Sequence, residues 1–159
     1  MHPSRLKVTS ELILGFLQAR HVHQHRLATY IEGDFLLSSK TKRVKRFLAN
    51  QELDESAIAP MVAHFLPQEP WLLALDRTNW QFGAQDINIL TLSVAIGGIA
   101  VPLFIEFLDK KGNSKTEERM RILQRFLDAF GVEKIEALLA DREFIGEDWV
   151  SWLHEKQVP

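Results

Sequence analysis

The chain has 159 residues, 46% of them apolar and 25% charged, with a formal net charge of −2 and no cysteine. That composition supports a real core in one ordinary domain, or a small domain plus part of another, and excludes a disordered chain. The missing cysteines exclude a disulfide scaffold, thiolate zinc sites and a cysteine nucleophile, and they fit a reducing cytoplasm.

The charge is unevenly spread. Residues 1–50 carry nine Lys/Arg against three Asp/Glu, a net of +6, while residues 51–159 carry ten against eighteen, a net of −8. A basic first part suits a polyanion, and an acidic second part suits a site built from carboxylates. The start, Met1-His2-Pro3-Ser4-Arg5, lacks the apolar run of a signal peptide.

Residues 10–66 are predicted to be helical. Ser10 is the expected cap of a first helix with Leu12, Ile13, Phe16 and Leu17 on one face. A short second helix is expected near His25 to Ile31, broken by Gly33. Ser38 or Ser39 would cap a third helix, turning Lys40, Lys42, Arg43, Lys45 and Arg46 outward and Val44, Phe47 and Leu48 inward. Asp54 would cap a fourth, with Ile58, Val62, Phe65 and Leu66 inward and Pro60 delaying or bending it. Leu66-Pro67-Gln68-Glu69-Pro70 is the expected linker, giving a helical region 1–66 and a second region 71–159. His21-Val22-His23-Gln24-His25 is read as surface or packing histidines, since no acidic or thiol partner lies nearby in sequence.

The pattern then changes to strands. Trp71–Asp76, Ile87–Ile96 and Ile99–Phe107 are predicted strands, with Gly97-Gly98 as the hairpin turn between the last two. The length of Ile87–Leu108 would suit a membrane span, but its polar residues, glycine pair and Ile/Val content indicate two buried strands. Ser114-Lys115-Thr116-Glu117 fits a capping box for a helix bearing Met120, Leu123, Leu127 and Phe130, ended by Gly131. Ile135–Asp141 is a fourth strand, and a last helix near Glu147 to Lys156 carries Trp149, Trp152 and Leu153. The order β-β-β-α-β-α resembles the first half of an RNase H-like fold, so the expected class is α/β: an N-terminal helical region followed by an incomplete RNase H-like mixed sheet.

Two aspartates each close an apolar run: Asp76 after Trp71-Leu72-Leu73-Ala74-Leu75, and Asp141 after Ile135-Glu136-Ala137-Leu138-Leu139-Ala140. They lie 65 positions apart, which leaves room for a hairpin and a crossover helix. Carboxylates meeting at adjacent strand ends can share divalent metal for phosphodiester chemistry, and magnesium needs few of them. Spacing alone leaves the alternative that each is a turn or cap residue.

Motifs sharpen the choice. Leu75-Asp76-Arg77-Thr78-Asn79-Trp80 resembles the first catalytic motif of the DDE transposases of bacterial insertion sequences, the cut-and-paste type with a β-rich insertion in an RNase H-like core. Leu138-Leu139-Ala140-Asp141-Arg142-Glu143-Phe144-Ile145-Gly146 is similar to the second motif, and Leu108–Ser114 with Thr116–Arg119 to the segment between the acids. The N-terminal helical stretch resembles the DNA-binding region of that family. The resemblance implies Asp76 and Asp141 as catalytic metal ligands for Mg2+ or Mn2+. It implies duplex DNA at transposon ends as partner, with a homo-oligomer or pairing with a full-length transposase, in a cytoplasmic, nucleoid-associated protein. Lys40, Lys42, Arg43, Lys45 and Arg46, on the second helix of a helix-turn-helix, would contact phosphates, against a plain solvated face. Arg77 and Arg142 would touch DNA phosphate, balance the acids or form structural salt bridges.

The family's third acid, a glutamate in a motif of tyrosine, arginine, glutamate and lysine, has no counterpart after Asp141, and the single tyrosine, Tyr30, is far upstream. The expectation is therefore a truncated, N-terminal half of such an enzyme, with weak metal affinity and no cleavage alone. A DNA-binding-only protein that occupies transposon ends or inhibits the full enzyme is the alternative, and a gene remnant without a role the third.

Overall fold

The computed structural model describes residues 3–50 and 55–159, with the side chains at 50, 55 and 56 left aside. The chain forms two compact units, Met1–Leu53 and Asp54–Pro159. The expected cap Asp54 lies outside the described residues.

The first unit is helical. Helix α1 (Pro3–Ala19) begins seven residues before the predicted cap. Proline suits a first helical turn, where its missing N–H costs nothing. Ser10 is therefore mid-helix, and its hydroxyl donates back to Leu6 O at 3.0 Å. Val8, Leu12 and Gly15 face inward, whereas Ile13 and Leu17 are exposed, so the buried stripe is turned from the one expected. Helix α2 (Gln24–Leu27) runs into a 3₁₀ turn (Ala28–Tyr30), and α3 (Leu37–Asn50) follows. The amides of Ser39 and Lys40 reach Leu36 O at 2.9 and 3.1 Å, so α3 starts ahead of both serines proposed as caps. Val8, Leu12, Leu27, Ala28, Ile31 and Val44 form a small core, flanked by Phe16, Ala19 and Phe47. Leu48 is left exposed.

The second unit is α/β. Helix α4 (Glu55–Ala63) contains Pro60 and packs Ala59, Val62 and Ala63 into the core of the sheet. The division between units therefore falls at Leu53/Asp54, ahead of the proline-rich segment expected to act as linker. Phe65 is 82% exposed, against its expected inward face. Strands β1 (Trp71–Phe82), β2 (Gln85–Ile96), β3 (Ile99–Phe107) and β4 (Ile135–Ala140) form one mixed sheet in the order β3-β2-β1-β4. β1–β2 and β2–β3 are antiparallel, and β1–β4 is parallel. Gly97 and Gly98 have φ of 56° and 83°, the two positive values that a tight primed hairpin turn demands.

Helix α5 (Thr116–Phe130) crosses from β3 to β4 and buries Arg119, Ile122, Leu123 and Phe126. Its cap lies one residue beyond the predicted box: Lys115 N–H donates to Glu118 Oε2 at 2.6 Å, and Ser114 instead accepts from Arg119. Leu73, Leu75, Leu90, Leu92, Val94 and Phe104 pack with this helix in one core, where Trp71, Phe104, Phe126 and Phe130 meet edge to face or tilted at centroid distances of 5.2–6.5 Å. Helix α6 (Glu147–Glu155) adds Trp149, Trp152 and Leu153. The final residues return along the outer edge of β4, where Leu138 N–H donates to Pro159 O at 3.1 Å. No helix among the described residues is long and apolar enough to cross a membrane, and the 87–108 stretch forms β2 and β3 as expected.

Candidate functional site

The register of β1 against β4 places the two aspartates. Leu73 pairs with Leu138, Ala74 with Leu139 and Leu75 with Ala140. Asp76 is the next residue of β1, and Asp141 directly follows the last residue of β4. Parallel neighbours lie about 4.8 Å apart, and this ladder ends at Leu75↔Ala140, one residue before each acid. Both are exposed. They share a face with Ala74 and Leu139, opposite the one that buries Leu73 and Leu75.

The predicted strand end at Asp76 is not where β1 stops. It runs six residues further, to Phe82, paired with β2 out to Phe82↔Gln85. What ends at Leu75 is the pairing with β4. Asp76 thus stands at a branch, with β2 still alongside and β4 departing.

Each carboxylate is held in the same manner. Asp76 Oδ1 accepts from Arg77 N at 2.8 Å, and Asp141 Oδ1 accepts from Arg142 N at 2.6 Å. One oxygen of each is thereby oriented by the following peptide. Asp141 also opens a 3₁₀ turn (Arg142–Phe144) that redirects the chain beneath the sheet end.

Arg77 is only 10% exposed, and its guanidinium makes a bidentate fork with Glu143, Nε to Oε1 at 2.7 Å and Nη2 to Oε2 at 2.8 Å. Further donations go to Asn88 Oδ1 at 3.4 Å and Asn113 Oδ1 at 3.3 Å. Asn88, buried in β2, donates to Lys110 O and Gly112 O at 3.0 and 2.9 Å and ties down the polar loop 109–113. Arg119 of α5 donates to Glu143 O at 3.0 Å and lies 5.1 Å from the Phe144 ring centroid. The hydrogen bond and charge of Arg77, with Arg119 nearby, hold the Glu143 carboxyl below its ordinary pKa against the opposing effect of burial. Arg77 is raised in turn, first by that same bond. Of the two arginines that follow the aspartates, Arg142 alone is exposed.

The chemistry of the donors fits a hard divalent cation in part. Two adjacent carboxylates supply oxygen ligands, and magnesium or manganese keeps waters in its other positions. No group of three or more His, Cys, Asp or Glu among the described residues could enclose a metal ion. Glu143, the acid closest in sequence to Asp141, is committed to Arg77 through both oxygens.

In the helical unit, α3 exposes Lys42, Lys45 and Arg46, while Lys40 and Arg43 are half-buried. Lys40, Arg43 and Arg46 border a cleft of about 280 Å³ with Ile31, Phe35 and Ser39. His21, His23 and His25 are all exposed, and His21 Nδ1 accepts from the His23 amide at 2.9 Å.

The sequence did not bring out Glu143, Asn88 or Arg119 as organisers of this region. Asn88 between Ile87 and Ile89 in β2, and Arg119 on the inward stripe of an amphipathic helix, were the available signals. Comparison with protein-family models, curated proteins and solved structures found no match to this chain.

Proposed function

We propose that the chain is the DNA-binding and two-carboxylate portion of a DDE-type transposase with an RNase H-like core, and that by itself it binds DNA and a divalent cation without cutting DNA. The observation that supports this reading is the parallel β1–β4 register, which runs to Leu75↔Ala140, the residues directly before Asp76 and Asp141. The motifs around both acids, and a sheet ordered β3-β2-β1-β4, support the same family.

Asp76 and Asp141 would hold Mg2+ or Mn2+. Bound there, the cation supplies Lewis-acid polarisation of a phosphodiester oxygen and lowers the pKa of a water. The exposed Arg142 faces solvent next to Asp141 and would orient a phosphate. Two carboxylates alone would leave such a cation under-neutralised, and no cleavage is expected.

The basic face of α3 belongs to a compact unit with its own core, and this favours a second reading, a DNA-binding protein with no part in cleavage. Fluorescence anisotropy with duplex DNA over a salt series, run beside a plasmid-nicking assay in Mg2+ and Mn2+, tests both. The first reading expects salt-dependent DNA binding, Mn2+ binding that needs both aspartates, and no nicking. DNA binding without any cation binding leaves the second reading. No DNA binding at low salt removes both, and robust metal-dependent nicking by the purified chain contradicts the expected inactivity.

A further inference from the structure

We propose that Arg77 and Glu143 are a positioning pair that fixes the separation of Asp76 and Asp141. The inference rests on the two-carboxylate reading above and adds the device that keeps the carboxylates together.

The backbone bonds between β1 and β4 stop at Leu75↔Ala140, one residue short of the two acids. Beyond that point no ladder joins the strands. The next tie is the fork between Arg77, which follows Asp76, and Glu143, two residues after Asp141. Both aspartates also take a hydrogen bond from the peptide of the following arginine, so a shift of either backbone moves the carboxylate with it. The fork therefore acts on the acids through the main chain.

Its surroundings suit that task. Asn88 and Asn113 accept further N–H groups of Arg77, which fixes the guanidinium plane. Arg119 donates to the Glu143 carbonyl at 3.0 Å. A planar fork with two parallel bonds sets distance and orientation, whereas a lysine would supply a point charge and neither constraint. Stability alone does not require the pair, because an ion pair removed from water is commonly matched by apolar residues of similar volume.

The test uses the full chain and an apolar double variant, R77M/E143M, beside R77K. Manganese affinity is measured by electron paramagnetic resonance, and amide hydrogen exchange is followed by NMR. The expected result is at least a five-fold loss of Mn2+ affinity in the double variant and a loss in R77K. Exchange at the Arg142 and Phe144 amides should quicken at least ten-fold, with Leu92 in the sheet core unchanged. A merely structural pair would move the core and the site together. Unchanged exchange at Arg142 and Phe144 in the double variant overturns the proposal. So does parental Mn2+ affinity in a chain that binds Mn2+. If the parent chain binds no Mn2+, the metal reading fails, and the exchange result still decides the positioning pair.

Discussion

Among single residues, three carboxylates stand in different settings. Asp76 and Asp141 are exposed and each keeps one oxygen on a backbone amide, while Glu143 is spent on Arg77. Removing Arg77 alone leaves Glu143 poorly solvated and unpaired. R77M is expected to destabilise the sheet unit by about 2–3 kcal/mol in urea unfolding at pH 7, less than for a fully buried pair because Glu143 retains 22% exposure. The pH dependence has a definite sign. The folded Glu143 pKa is depressed, so its contribution is present above the unfolded value of about 4.3 and is lost as pH falls through the folded value. Thermal unfolding between pH 6 and pH 2.5 is expected to show this acid loss in the parent and less of it in E143Q. Burial alone would raise the Glu118 pKa, but Lys110, the Lys115 amide and Arg121 together outweigh it, so Glu118 is lowered, contributes with the same sign and remains in both chains.

At the scale of elements, the legible parts were those that periodicity and turn chemistry determine. The Gly97-Gly98 hairpin, α5 with Leu123 inward and Gly131 behind it, and β4 up to Ala140 all stand where the pattern put them. The elements that shifted did so for tertiary or capping reasons. Ser10 resembles a cap but back-bonds within α1. Ser114 resembles a cap but is buried to receive Arg119. β1 was cut short at Asp76 because a charged residue after five apolar ones looks like an end. Its continuation, with polar residues on one face and Trp80 and Phe82 on the other, is held by β2 rather than by a core. The parallel pairing of the apolar runs that precede Asp76 and Asp141 follows the β-β-β-α-β order read from the pattern, but the Arg77–Glu143 tie was not legible, since contacts 66 positions apart leave no local trace. Helix α3 carries its own prediction. If Lys42 and Lys45 contact phosphates, each Lys→Ala change should lower the slope of log affinity against log salt by about 0.9 in anisotropy titrations.

At the scale of the molecule, the two units have separate cores and should respond separately to damage. The first unit buries few large side chains, with Leu27 fully buried at its centre. A unit of about 50 residues is marginal, so Leu27→Ala, costing about 2–5 kcal/mol, is expected to unfold it. Amide exchange should then show lost protection in α1 and α3 with the β1–β2 ladder intact. Under the proposed function, the helical unit would offer cations to DNA and the sheet unit carboxylates to metal. Whether Asp76 and Asp141 act as one divalent-cation site is decided by a Mn2+ titration of the full chain followed by electron paramagnetic resonance, repeated on D76N and D141N. Weak saturable binding is expected in the parent and is abolished by either substitution. No binding in the parent, or binding that survives in D141N, would contradict it.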